Sequence, residues 1–367
     1  MTLFRFSRKN ASRLSVMLFS ALFLAGCHAT KSKEPLKEPV VVNEETVVAL
    51  AKRIEKGILD GNAAALDSLI DKQHIKRVVS ENSIVYSGFD VEGGQQYFDD
   101  CLKLGSQHVK AVNNGGDFAF VRHYTDDGKH HVVFRTYDNF SLNFSDFTID
   151  TANGKMMLED GFIYNTGSLL SGNIEKSMLY NLMLKTDPDG VTQWLYKAEE
   201  LLKESKFRES LQLLTAHKPE IKDYPLFYQL YIADLYKTSP ANFINNLDQL
   251  KEDADPRYLL LHKLLYYFNN GKVKETEETV NELIAYTGDD PIYLLFYAKA
   301  NIYAKRYADA LSCLEMAEKA LPLLWDLWYS ELQCYKGLKD ESGFQNCLLK
   351  GKEAYGMNDE ELRQVMK

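Results

Sequence analysis

Three histidines and an aspartate are the grouping in this chain best suited to metal chemistry: His123, His130 and His131, with Asp126 beside them. His123 and His130 flank Asp126-Asp127-Gly128, a strong signal for a tight hairpin turn. With Asp127-Gly128 as the loop, the two imidazoles share one face as diagonal neighbours. Two imidazoles and a carboxylate suit a divalent transition metal. The alternative is that histidines at a hairpin tip are solvated polar side chains. No GxSxG, HExxH, P-loop or GxGxxG pattern occurs. Carboxylate pairs such as Glu277-Glu278 and Asp289-Asp290 read as solvated charge on helix faces or in loops. The expectation is a protein with no catalytic residue, no metal beyond the His123–His130 candidate, and no cofactor.

The five cysteines, Cys27, Cys101, Cys313, Cys334 and Cys347, contain no CxxC pair, which argues against a zinc ribbon or a thioredoxin-like site. Cys313 and Cys347 hold equivalent places 34 residues apart. Neighbouring helices pack ~8–10 Å apart, while disulfide Cα atoms must lie within about 7 Å. Free buried thiols are therefore expected, with Cys334–Cys347 the one plausible bridge.

Cys27 is different, because of what precedes it. The first 26 residues hold Arg5, Arg8, Lys9 and Arg13 and no acid, followed by the eleven-residue apolar run from Leu14 to Leu24. That run suits a signal peptide and is too short to span a bilayer, which takes about 20 residues. Leu24-Ala25-Gly26-Cys27 follows at once and resembles the bacterial lipobox. The resemblance implies cleavage between Gly26 and Cys27 and lipidation of Cys27, whose thiol takes a diacylglycerol, with palmitate among the acyl chains. One acyl chain holds a membrane only marginally, whereas two or three hold firmly. The absence of Asp after the cysteine (His28 stands there) points to the outer membrane, facing the periplasm. Residues 27–43, with Pro35, Pro39 and several charges, read as a tether.

Formal net charge is -9; without the first 26 residues, 39 basic residues face 52 acidic ones, a net of about -13. So acidic a body is a poor match for nucleic acid or for anionic lipid surfaces. Membrane contact is expected through the lipid alone.

Residues 44–170 read as an α+β domain. Val47, Leu50, Ala51, Ile54 and Ile58 recur at helical spacing, and Asp60-Gly61-Asn62 separates this helix from a second carrying Leu66, Leu69 and Ile70. Two strand pairs follow: 118–124 with 131–137, and 142–149 with 156–164 around Ala152-Asn153-Gly154. The run from Gly57 to Asp71, GILDGNAAALDSLID, resembles the opening of nuclear-transport-factor-like (cystatin-like) domains. That resemblance implies helices on a curved antiparallel sheet, which can form a cone with a cavity.

After a linker over 171–190 the chain reads as wholly helical. Segments beginning at 191, 225, 257, 291 and 325 align with spacings of 34, 32, 34 and 34. They resemble tetratricopeptide repeats. In the first, Trp194, Ala198, Leu201, Phe207, Ser210 and Leu214 match the family's alternation of large and small residues. Residues 307–322, YADALSCLEMAEKALP, match best, and 225–256 match poorly. The resemblance implies an all-α solenoid over 191–358, about five helix hairpins, capped by a helix over 359–367. In the third hairpin Tyr258, Leu261, Leu265 and Phe268 would line the inner wall, an apolar surface suited to a peptide or helix. Their other possible role is to bury one another or pack on the first domain.

The reading that follows is a lipid-anchored periplasmic scaffold binding an envelope protein or peptide. The alternative is that the 44–170 cone binds or transforms a small molecule, with the repeats as support. Oligomeric state is left open.

Overall fold

The structure, a computed structural model, describes residues 42–358 except 90–92, 139–140, 153, 187–189, 323 and 357. The signal segment, the Gly26-Cys27 cleavage site, nearly all of the tether and the 359–367 cap lie outside the described residues. Among those described, no helix is long and apolar enough to cross a membrane.

The first helix, α1 (Glu44–Leu59), begins at a reciprocal cap. Asn43 Oδ1 accepts from the Thr46 amide at 2.9 Å, and Thr46 Oγ1 accepts from the Asn43 amide at 3.1 Å. This satisfies two donors that a helix start leaves open. Val47, Leu50, Ala51, Ile54 and Ile58 are all buried, as their spacing predicts. Five short helices follow: α2 (Ala64–Asp67), α3 (Lys72–Val79), α4 (Ser83–Gly88), α5 (Gly94–Cys101) and α6 (Leu104–Asn113). The sequence pattern predicts two helices ahead of the strands; α4, α5 and α6 are additions to it.

Strands β1 (Asp117–Asp126), β2 (Lys129–Asp138), β3 (Ser141–Ala152), β4 (Lys155–Ile163) and β5 (Ser168–Leu169) form one antiparallel meander in chain order. At the first turn Asp127 and Gly128 both have positive φ, 47° and 76°. That is the left-handed pair a two-residue hairpin needs to match strand twist. Irregularities at Phe120/Arg122 and Phe147/Ile149 add local bend to the sheet.

Next comes α7 (Leu170–Thr186), whose Leu170, Ile174, Met178 and Leu179 are buried in the same core as α1 and the sheet. The linker expected over 171–190 is thus corrected. Most of it is a helix, because apolar residues at helical spacing gain more from burial than an exposed connector could.

The remaining chain is helical: α8 (Gln193–Lys203), α9 (Phe207–Ala216), α10 (Lys218–Ile221), α11 (Pro225–Thr238), α12 (Phe243–Asp248), α13 (Pro256–Asn269), α14 (Val273–Thr287), α15 (Ile292–Tyr303), α16 (Tyr307–Glu318), α17 (Trp325–Leu338) and α18 (Glu341–Tyr355). Helices starting at 193, 225, 256, 292 and 325 fall within two residues of the segment starts read from sequence. Ala198, Ser210, Thr276, Ala298 and Ala310 are fully buried. Ser210 Oγ donates to the Ala198 carbonyl at 3.2 Å across α8 and α9, so small side chains do sit where two helices meet most closely.

Both faces of the sheet are covered. Phe118, Val132, Phe134, Phe147 and Ile149 pack with α1, α7 and α8. On the opposite face Val133, Tyr137, Leu142, Phe144, Phe162 and Tyr164 pack with α13, α15 and α16. Antiparallel sheets commonly leave one face in water. Here residues 132–135 and 144–147 are buried without a break. The order is the expected one, an antiparallel five-strand sheet with helices and then a helical region, and the described residues of both pack as one compact unit.

Candidate functional site: a polar cavity where sheet and helices meet

Burying a sheet face against helices requires partners for its polar side chains, and the second face has them. Arg135 ion-pairs with Asp117 and with Asp290, which lies just before α15. The Tyr137 hydroxyl donates to Asp326 at 2.6 Å. Tyr124 donates to Asp146 at 2.5 Å, and His131 lies 3.2 Å from the same carboxylate. Arg257 on α13 stacks over the Phe162 ring at 3.3 Å. Arg135–Asp290, Tyr137–Asp326 and Arg257–Phe162 tie the sheet to the helical half, and the contacts of Asp117 and Asp146 brace the sheet itself.

The expected peptide groove is therefore occupied by the chain itself. Tyr258, Leu261 and Phe268 are buried. Leu261 and Phe268 share a core with the sheet's Tyr137 and Phe144. Tyr258 is closed over by the turn after β4: a Cβ on Gly167 would stand 3.0 Å from the Tyr258 Cβ. Only Leu265 keeps partial exposure. It edges a second cavity of about 490 Å³, shared with Phe207, Ile232, Tyr236, Phe243 and Tyr266. The physical reason is that the sheet's Val133, Phe144 and Phe162 offered a larger apolar surface than water or a transient peptide could.

The first face is filled by phenylalanines on its β1–β2 side, with Phe118 and Phe134 rings stacked 5.3 Å apart. Across the same rows, at Asn143 and Ser145 of β3, it opens into a cavity of about 500 Å³ bounded by α6, β3, the turn after β4, α7, α8 and α11. That volume falls within the range of small-molecule sites. The wall mixes neutral hydrogen-bonding side chains with apolar surface from Leu104, Ile163, Leu170 and Leu226. β3 supplies Asn143 and Ser145, and α7 supplies Asn173, Ser177, Tyr180 and Asn181. Positions 173, 177, 180 and 181 follow helical spacing, so a single face of α7 delivers these groups.

Much of this wall is held in place by its own bonds. Asn143 Oδ1 accepts from the Asn165 amide at 2.9 Å. Asn173 donates to Thr166 Oγ1 at 2.7 Å and accepts from Ser168 Oγ at 2.7 Å. His108 is held to Thr136 Oγ1 at 2.9 Å, and burial pulls its pKa down to about 4, so it is a neutral imidazole at physiological pH. Burial pushes the Tyr180 phenol up to about 12, with the Glu199 charge adding to it; the buried hydroxyl has no hydrogen-bond partner. Lys176 and Glu199 are the charged groups of the lining.

His123 and His130 do meet, as their diagonal positions predict. Their Nε2 and Nδ1 are 2.8 Å apart and share a hydrogen bond, with rings stacked at 5.0 Å. Asp126 does not complete a set: among the described residues no cluster of three histidine, cysteine or carboxylate side chains could hold a metal. Cys101, Cys313, Cys334 and Cys347 are free thiols, so Cys334 and Cys347 are not bridged. Burial raises the Cys334 and Cys347 thiols to about 12, away from the reactive thiolate.

The cavity residues were missed in the sequence because 171–190 read as a linker. The available signal was the recurrence of Asn173, Ser177 and Asn181 at steps of four alongside Ile174 and Met178, the pattern of a helix with one polar face turned inward. A half-open cavity where a mixed sheet-and-helix layer meets helix hairpins is what this geometry defines. Compared with known proteins, the chain matches no family model, no curated protein and no solved structure.

Proposed function

We propose that this is a lipid-anchored envelope protein that holds a small polar molecule in the cavity between sheet and helices. The observation that carries the reading is the cavity itself: about 500 Å³, walled by amide and hydroxyl side chains that the sheet, α7 and the helical half all contribute. Neutral groups that both donate and accept match a ligand of the same character. The anchor rests on the lipobox-like Leu24-Ala25-Gly26-Cys27 after a basic and then an apolar segment. In this reading Cys27 carries the lipid and the body faces the periplasm from the outer membrane. The helix pairs are tetratricopeptide-like repeats, supported by their spacing and by small buried residues at helix contacts. They act as a cradle for a cone-type α+β layer rather than as an open groove.

The test uses the full chain, expressed in a bacterial host and purified in detergent. Ligand-observed NMR with D-glucose, D-glucuronate and D-glucosamine should show binding to at least one sugar, lost in Ser177→Phe, which fills the cavity. Absence of binding to all three, or binding unaffected by Ser177→Phe, overturns the reading. Separately, Cys27→Ser should move the chain from the membrane fraction to the soluble one; unchanged sedimentation refutes the anchor.

One observation favours a second reading, a scaffold for an envelope protein or peptide. The cavity beside Leu265 is apolar, with Phe207, Tyr236 and Tyr266 at its edge. A peptide would enter there rather than along the whole wall, and Leu265→Asp would abolish its capture.

A further inference from the structure

We infer that the molecule held in the polar cavity is a hydroxyl-rich carboxylate of the sugar-acid class, and that Lys176 is the residue that recognises its charge. This rests on the cavity being a small-molecule site. Lys176 and Glu199 are the two charged side chains of the wall, and they are not equivalent. Glu199 has an ion-pair partner on its own helix, Lys203 at 3.0 Å, which it shares with Glu200 at 2.9 Å. Lys176 is half-buried on α7 and forms no ion pair among the described residues; its ammonium lies 6.0 Å from the Tyr224 ring, a weak contact at that distance. The cavity thus presents one ammonium without an ion-pair partner, and an anion arriving with the ligand supplies one through a charge-assisted contact.

The body of the protein carries a large negative excess, so this is a local positive site in a repelling field. It selects a small anion that can be enclosed and disfavours large anionic surfaces. The rest of the wall specifies what the anion carries. Asn143, Ser145, Asn173, Ser177 and Asn181 each have donor and acceptor capacity, which fits hydroxyls, groups that also do both. Ile163, Leu226 and the rings of Tyr97 and Tyr224 supply apolar surface for the C–H faces of a ring. An acyl chain or a dianionic phosphate ester fits this wall poorly: the first offers no hydrogen-bonding group to it, and the second brings more charge than one ammonium offsets.

Isothermal titration of the full chain in detergent distinguishes the possibilities, using D-glucuronate, D-glucose and D-glucosamine as probes. D-glucuronate should bind about tenfold or more tightly than D-glucose, the difference that one charge-assisted contact supplies. Raising the salt concentration should weaken glucuronate and leave glucose unchanged. Lys176→Met should bring glucuronate down to the level of glucose, and Lys176→Arg should keep the preference. Equal binding of glucose and glucuronate would overturn the sugar-acid assignment while leaving the small-molecule reading in place. Tighter binding of glucosamine would do the same and shift recognition to Glu199. Binding of none of the three would remove the small-molecule reading itself.

Discussion

Arg135 in β2 and Asp290, just before α15, form a buried ion pair between residues 155 apart in sequence. Both side chains are almost wholly shielded from water, and Asp117 takes the other guanidinium nitrogen. Two carboxylates on one guanidinium, at the junction of sheet and helices, mark where the halves of the chain commit to each other.

Removing one partner of such a pair leaves the other buried and uncompensated, a loss of about 3–5 kcal/mol. Arg135→Met should lower stability by that amount in denaturant unfolding, and Asp290→Leu by less, because Asp117 still faces the guanidinium. The double variant should lose less than the sum, since only Asp117, the more exposed carboxylate, is left without its partner. Additive losses would mean that the two side chains act independently.

Asp234 on α11 is fully buried and neither carboxylate oxygen has a hydrogen-bond partner. Nearby Ser210 gives its hydroxyl to the Ala198 carbonyl instead. Burial raises the Asp234 pKa from 3.8 to about 6. Because the folded-state value is the higher one, the folded chain holds this proton more tightly than the unfolded chain does. Its contribution is fully present below pH 3.8 and is lost as pH rises through about 6. Asp234→Leu should therefore be more stabilising at pH 7 than at pH 4, by about 2–3 kcal/mol. A difference that does not change between the two pH values would show that the carboxylate is solvated.

Ala310 on α16 is fully buried, and Ala308 two residues earlier is exposed. Leucine at 310 must push neighbouring helices apart, at a cost of about 1–3 kcal/mol or more. Leucine at 308 should change stability by less than about 0.5 kcal/mol. Thermal unfolding of Ala310→Leu beside Ala308→Leu tests this. Equal effects would mean that small size at 310 is not what permits the contact.

Local pattern determined much of the architecture. The spacing of Val47, Leu50, Ile54 and Ile58 set α1, and Asp127-Gly128 set the first hairpin and brought His123 to His130. Short-range backbone preference and apolar periodicity decide such features, and both are written along the chain. The helix starts near 225, 256, 292 and 325 were legible for the same reason.

What covers an apolar face is a different question. Tyr258, Leu261 and Phe268 read equally well as a groove or as core, since side-chain chemistry states that a surface is apolar and not what will lie on it. Val133, Phe144 and Phe162, more than 90 residues away, answered that by occupying it. The polar cavity likewise draws Asn143 and Ser145 from β3, Asn173 and Lys176 from α7, and Glu199 from α8. Nothing in any one segment marks them as a set. Their convergence depends on three-dimensional packing: hydrophobic burial is non-directional, so only the folded chain decides which surfaces meet and which polar groups are left facing one another.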